Sequence, residues 1–421
     1  MTLAIILFIL TYVFIFIFSD YKHVVALISA ILFVILGILP VNKIIPSIDF
    51  NVILMILGIM GTVNLFIESK MPNRLSDYII HISKNIKWMT IFLAAFAALV
   101  SAFVDNVATV LMIAPVALTI AKKLEVSPVP ILISISIFSN LEGAATLVGD
   151  TTSILLAGAA NMNFLDFFIY KGRMGLFFII QLGTLFSLFV LYFKFRRKRK
   201  KVENDKYTKV EDYFPTYLLI FTLLCLIVVS FIPGKPSLTN GIICMAFYLL
   251  GLIRDVIKDK NFDTLKSNLM QVDYQTLLLL ASLFAIIGGI KEAGLIDALS
   301  NIFKGLSSNV FILYTILVFF SVIVSAFIDN IPYVATMLPV VSALSLKLGI
   351  DPTLLYYGLI IGATLGGNIT PVGASANIAS IGILNKNGYK VPLKEYLSYS
   401  LPITFVAVIS AYVIVLIEFY V

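Results

Sequence analysis

Charge is scarce in this chain. Only 13% of its 421 residues are Asp, Glu, Lys or Arg, against roughly 25% in a soluble domain. Cysteine and histidine are scarcer still, with two of each. With both cysteines inside apolar runs, neither a disulfide framework nor a metal cluster is expected. Cys225 and Cys244 lie in apolar runs, while His23 and His81 sit at segment edges as interfacial polar residues. No histidine or cysteine is placed in an apolar run as half of a nucleophile–base pair, so an intramembrane enzyme is not expected. Strict apolar/polar alternation is also missing, which excludes a membrane barrel. Residues 1–18 have no basic stretch before them and acidic Asp20 after them. They read as an uncleaved first span, not a signal peptide.

What is abundant is apolar surface: 60% hydrophobic residues and a mean hydropathy of +1.04. Apolar runs recur along the whole length, many near the roughly 20 residues needed to cross a bilayer. The fold class is an all-α polytopic membrane protein. The net charge of +7 sits in loops, so it reports topology and not nucleic-acid binding.

The chain is doubled. Ser101-Ala102-Phe103-Val104-Asp105-Asn106 returns as Ser325-Ala326-Phe327-Ile328-Asp329-Asn330, 224 residues later. The same offset carries Asp49 to Asp273, Glu68 to Glu292, Asn85 to Asn309, Pro115 to Pro339 and Pro128 to Pro352. It also carries Gly143, Thr146 and Gly149 to Gly367, Thr370 and Gly373. Two units are expected, residues 1–194 and 213–421, joined by a basic linker at 195–212.

Within each unit the segments differ in kind. In the first, 1–18, 24–40 and 50–67 read as spans, 70–85 as an interfacial helix, and 174–193 as the closing span. In the second, the spans are 214–232, 238–253, 274–290 and 397–417. Segments 88–121 and 309–346 carry Asp-Asn near their middles, leaving arms of about 15 residues, or about 22 Å of helix. Such arms fall short of a roughly 30 Å core, so each segment is expected to be a re-entrant hairpin. Segments 129–160 and 353–385 are expected to be discontinuous helices, unwound by glycines at Gly143, Gly149, Gly367 and Gly373.

That makes five spans, one hairpin and one discontinuous helix per unit, about 10 spans and 2 hairpins in all. An odd number of crossings inverts the second unit. Placing the linker in the cytoplasm puts 23 of the 30 lysines and arginines on that side, as the positive-inside bias requires. Both termini are then extracytoplasmic.

A carboxylate inside a membrane is costly and marks an ion pathway. Broken helices add free amides and carbonyls that hold ions. Asp105 and Asp329 are therefore candidates for a coupling cation, sodium ion or proton. Asp150 and Glu142 flank the first break, with Ala374 and Gly366 in the second copy. Thr146, Thr151, Asn368, Thr370 and Asn377 add neutral ligands. Asn106 and Asn330 complete the tips, where they are expected to act as helix caps more than the aspartates do. Pro115 and Pro339 are expected to kink the outgoing arms. No Lys or Arg falls at a tip or a break in sequence, so a multivalent anion finds no fixed positive partner there.

At these residues the chain resembles the ion transporter superfamily, specifically the ArsB/NhaD permeases with the melanosomal P protein. The matches are Ala102 to Leu111 with Pro115, Ala145 to Asp150, Leu365 to Asn368, Gly373 to Asn377, and Asn387-Gly388-Tyr389. The resemblance implies an elevator mechanism, often in a homodimer, with Asp105-Asn106 and Asp329-Asn330 as hairpin tips. It implies a cell-membrane transporter without a cofactor. The family's substrates include sodium ions and protons, arsenite, and citrate or dicarboxylates, and arsenite exporters often use a partner ATPase. The dicarboxylate carriers have Ser-Asn-Thr at both tips, where this chain has Asp-Asn. Sodium/proton antiport is the expected function. An arsenite or small-anion permease coupled to protons or sodium ions is the alternative, and an ion channel of the same build is the alternative of another class.

Overall fold

The computed structural model describes residues 1–202, 207–259 and 262–420. Lys206 of the linker and Lys260, both counted in the charge asymmetry, lie outside the described residues. Among the described residues twenty α-helices are present, in chain order α1 Thr2–Ile17, α2 Lys22–Ile35, α3 Val41–Ser47, α4 Phe50–Glu68, α5 Met71–His81, α6 Ile86–Ser101, α7 Asn106–Lys123, α8 Val129–Glu142, α9 Thr151–Ala160, α10 Leu176–Phe195, α11 Phe214–Ser230, α12 Thr239–Asp259, α13 Phe262–Met270, α14 Tyr274–Glu292, α15 Leu295–Leu306, α16 Val310–Ser325, α17 Asn330–Leu348, α18 Thr353–Gly366, α19 Ser375–Lys386 and α20 Leu393–Phe419. A two-residue ribbon pairs Ile169–Tyr170 with Arg173–Met174.

Helix starts follow the 224-residue offset, because the capping residues do. Asp49 accepts from the Val52 amide at 3.1 Å and Asp273 from the Thr276 amide at 3.0 Å, opening α4 and α14. Asn85 and Asn309 open α6 and α16 in the same way. Each side-chain oxygen satisfies an amide that the first helical turn leaves unpaired. Pro115 and Pro339 lie inside α7 and α17 at matching positions, where each removes one N–H from the ladder.

Among the described residues, seven helices are long and apolar enough to cross a membrane by themselves: α4, α7, α10, α12, α14, α17 and α20. Two of these correct the expected arm lengths. The outgoing arms α7 and α17 have 18 and 19 residues, close to a full crossing. Conversely, α1 and α2, read as full spans, have 16 and 14 residues. α2 stops at Ile35 because Gly37 takes a left-handed turn (φ +67°) and Pro40 follows.

Backbone contacts set the direction of the paired helices. The Ile86 and Lys87 amides at the start of α6 donate to the linker carbonyls of Lys200 and Lys198, each at 3.0 Å. The Lys200 ammonium reaches the Leu124 carbonyl just past α7. The α6–α7 pair therefore has both outer ends on the linker face. At the start of α14, Gln271 donates to Glu68 at the end of α4, 2.5 Å away, so α4 and α14 run antiparallel. α14 ends at Glu292, paired with Lys43, and α15 follows on that far face. Lys347, near the end of α17, donates to the Asp297 carbonyl and the Ser300 hydroxyl of α15 at 2.9 and 2.6 Å. The α16–α17 pair hangs from the face opposite the linker. α15 meets α16 at 116°.

The helices sort into two groups. α4 packs on α12 and α14 on α2, while α6 packs on α8 and α16 on α18. Every residue of α18, and every residue of α8 except Pro130, is buried. Their apolarity on all faces suits that central position. The outward faces of α10, α11, α12 and α20 carry large apolar residues such as Phe189, Val228, Ile253 and Phe405.

Candidate ion-binding cavity

A cavity of about 270 Å³ lies between the two groups. Its walls come from α4 (Met60, Val63, Asn64), the start of α7 (Asp105, Asn106) and the start of α14 (Asp273, Thr276). Asp150, Thr151, Asn330, Ser375 and Lys22 complete it. Asn64, Ile67 and Gln271 line the end nearest Glu68, on the linker face.

Both tip aspartates are helix caps; Asp105 also lines the cavity, and Asp329 adjoins it. Asp105 Oδ1 accepts from the Val107 and Ala108 amides, each at 3.0 Å. Asp329 Oδ1 accepts from the Ile331 amide at 3.2 Å. In each case capping uses one carboxylate oxygen. Asp150 Oδ1 takes the Thr151 amide at 2.8 Å, and its Oδ2 takes the Thr152 hydroxyl at 3.0 Å and Asn330 Nδ2 at 3.5 Å. The first break thus touches the second tip.

The expectation that Asn106 and Asn330 are mainly caps is overturned. The aspartates cap, and the asparagines reach inward: Asn106 Nδ2 donates to Asn140 Oδ1 at 2.9 Å, and Asn330 turns to Asp150. One residue separates the two roles because the aspartate precedes the first helical turn, where its side chain folds back onto the amides.

The absence of fixed positive charge at the tips is also corrected. Lys22, at the start of α2, forms an ion pair with Asp329 Oδ2. In sequence it reads as one more loop lysine that reports topology. Only packing of α2 against α14 brings it to a tip 307 residues away. The position 224 residues after Lys22 is Ala246, and among the described residues no ion pair reaches Asp105. The two tips match in sequence and differ in electrostatic surroundings.

Of the other candidates, Thr151 lines the cavity, while Thr146, Thr370, Asn368 and Asn377 do not. The Thr146 hydroxyl donates to the Ala102 carbonyl and the Thr370 hydroxyl to the Ala326 carbonyl, the same bond in each copy. These threonines fasten each break to its hairpin. Asn368 is fully buried between Asn140 Nδ2 at 3.2 Å and the Ile137 carbonyl, also at 3.2 Å. Asn377 donates to the Gly367 carbonyl at 3.2 Å. Glu142 faces away from the cavity toward α10, where Gln181 Nε2 donates to its Oε2 at 2.6 Å.

The glycines at the breaks are required by space and not by an unusual backbone. Gly143 and Gly367 keep right-handed helical angles, and none of the four has positive φ. A Cβ on Gly149 would lie 2.6 Å from the Gly143 carbonyl oxygen and 2.9 Å from that of Ala102. On Gly373 it would lie 2.6 Å from the Gly367 oxygen and 2.7 Å from that of Ser325. The breaks press directly against the hairpin backbones.

Sequence reasoning missed Lys22, Asp273 as a cavity group, and Asn140. The signal for Asn140 was present: its counterpart Thr364 is also polar inside an apolar run. For Lys22 the signal was the failure of the repeat at Ala246.

Comparison with known proteins agrees with this architecture. Residues 6–357 match the profile of a family described as "Citrate transporter". The chain is similar to a "46 kDa membrane protein" of Mycobacterium leprae, 31% identical over 97% of this chain and 96% of that protein. An uncharacterized transporter of Mycobacterium tuberculosis is 30% identical over 89% of this chain and 88% of its own. The human P protein is 25% identical over 87% of this chain, which spans 53% of that longer protein. Among solved structures, the YdaH transporter of Alcanivorax borkumensis, described as having an unusual topology, shares the fold. Its TM-score is 0.58 at 14% identity, covering 89% of this chain and 86% of that one.

Proposed function

The chain belongs to the citrate transporter family of membrane transporters, and on that premise we propose that it exchanges sodium ions for protons by alternating access. The observation that carries this reading is the charge balance of the cavity. Asp105, Asp150 and Asp273 line it, Asp329 adjoins it, and Lys22 is the one basic residue among them. Excess carboxylate in a low-dielectric site is relieved by bound cations or protons. Asp105, Asp150, Thr151 and Asn330 form one oxygen-rich cluster, and Asp329 with Ser375 a second.

The architecture supports an elevator. In this reading α6–α7 and α16–α17 are re-entrant hairpins of two inverted repeats, and α8–α9 and α18–α19 are the discontinuous helices. Together they slide against the group built on α2, α4, α12 and α14. The cavity then opens to the cytoplasm on the linker face, with both chain termini outside the cell membrane. Kinship to the ArsB/NhaD permeases and assembly as a homodimer belong to the same proposal.

The test is purified protein in liposomes with an internal pH dye. An imposed sodium gradient is expected to move protons. Asp105→Asn keeps a capping side chain and should leave melting unchanged while abolishing exchange. Proton movement driven by sodium in that variant would remove Asp105 from the coupling site.

A second reading follows the family description. A citrate-like anion would meet Lys22, but against an excess of carboxylates it could enter only together with cations. Citrate uptake dependent on a cation gradient, with no sodium-driven proton flux, would favour it.

A further inference from the structure

We infer that the Lys22 ammonium is a tethered counter-ion, occupying the cation site of Asp329 in this state and displaced when a monovalent cation binds. The inference rests on the cation-coupled reading above. Its basis is geometric. Asp329 Oδ1 is committed to the Ile331 amide. Oδ2 is shared by Lys22 and the Ser375 hydroxyl, the latter at 3.3 Å. A sodium ion bound at Asp329 needs Oδ2, the atom that the ammonium already holds. The two are alternative occupants of one place.

The pair is shielded, with side chains 23% and 16% exposed. At that burial a carboxylate left without a partner is costly. Removal of the ammonium and arrival of a cation are therefore linked. The pair also joins the two helix groups. Lys22 begins α2, packed against α14, whereas Asp329 lies at the tip between α16 and α17. Sliding of one group past the other has to separate them. While Asp329 has no cation of its own, Lys22 holds the groups in register, and an unloaded return is disfavoured. Among the described residues the first tip has no such tether, and Ala246 stands at the position equivalent to Lys22. The two matched aspartates thus have separate tasks: Asp105 faces the cavity open, and Asp329 gates the movement.

The experiment measures labelling of Lys22 by an amine-acylating reagent, read by mass spectrometry on the full chain in detergent. In choline buffer Lys22 should label slowly, and Asp329→Asn should raise its labelling severalfold. Sodium chloride added to the wild type should raise it as well, while the same choline chloride concentration does not. Lys22→Met, which removes the competitor, should tighten half-maximal sodium binding by roughly tenfold, the effect of about 1.4 kcal/mol. Lys22→Arg should restore the wild-type value. Sodium-independent labelling in a protein that exchanges sodium for protons in liposomes overturns the inference and leaves the proposed function standing. If no monovalent cation changes labelling and no cation gradient moves protons, the cation-coupled reading falls, and the tether falls with it.

Discussion

Asn140 donates through Nδ2 to the backbone oxygen of Thr364, 2.9 Å away, and the two residues are 224 positions apart. Each is the other's counterpart in the doubled sequence, so α8 and α18 meet at equivalent points. The same Nδ2 reaches Asn368 Oδ1 at 3.2 Å, and Asn140 Oδ1 accepts from Asn106 at 2.9 Å. One fully buried side chain thus links the first tip to the second break.

Removing Asn140 should cost more than removing Thr364. Asn140→Ala leaves the Asn106 amide and the Asn368 oxygen without this partner at buried positions, at about 1–3 kcal/mol for each unpaired group. Thr364→Ala keeps the carbonyl that Asn140 uses and loses only a 3.4 Å hydroxyl contact with Thr152. Thermal unfolding in detergent should show a clear drop for the first and little change for the second. Equal melting of both variants would mean that the network adds nothing.

Gly149→Ala and Gly373→Ala should each impair folding, because the added methyl falls within 3 Å of backbone oxygens on the neighbouring hairpin. Backbone at that distance cannot yield as a flexible side chain does. Gly382 lies in α19 with nothing within 4 Å of its Cβ position. Gly382→Ala is expected to be neutral or slightly stabilising, since alanine favours helix by roughly 1 kcal/mol. Monodisperse yield on size exclusion compares the three.

Glu142 is fully buried, with Gln181 bonded to Oε2 and Oε1 lacking a hydrogen-bond partner among the described residues. Glu142→Gln keeps an oxygen for Gln181 and removes the cost of a buried carboxyl group. It should match or exceed the wild-type melting temperature and retain transport. Loss of exchange in a stable Glu142→Gln protein would instead make this carboxyl part of the coupling chemistry.

Asp212, where the linker meets α11, shows the pH dependence outside the membrane. Burial alone would raise its carboxyl. Hydrogen bonds from Arg254, the Phe214 amide and Lys258 outweigh that and hold it down at about 2. An unfolded aspartate titrates near ~3.9. The folded value is the lower one, so its stabilisation is fully present above that pH and is lost as pH falls toward about 2. Asp212→Asn should flatten the melting-temperature profile in that window. An unchanged acid limb would show that the cluster does not contribute.

Much of the framework was legible in the residues themselves. Spans, caps and breaks depend on local rules: apolar length, an Asp or Asn before a helix, a polar cluster within an apolar run. The 224-residue offset therefore recurs in the helix limits, from α4 and α14 to α8 and α18. Arm length was misjudged because α7 and α17 each run two residues past the expected segment ends, to Lys123 and Leu348. The division of labour at the tips was also inverted, since a cap and an inward-facing ligand are adjacent residues of similar chemistry.

The membrane class, the doubling and the aspartates at the two tips follow from the residues alone, because transfer cost and capping act on residues near in the chain. What those aspartates face depends on how distant helices pack. Lys22 and Asp329 are separated by 307 positions, and no local preference relates them. Their pairing exists because α2 packs on α14 while the α16–α17 tip enters from the opposite face. The resulting difference between Asp105 and Asp329 is a property of packing that two nearly identical hexapeptides do not reveal.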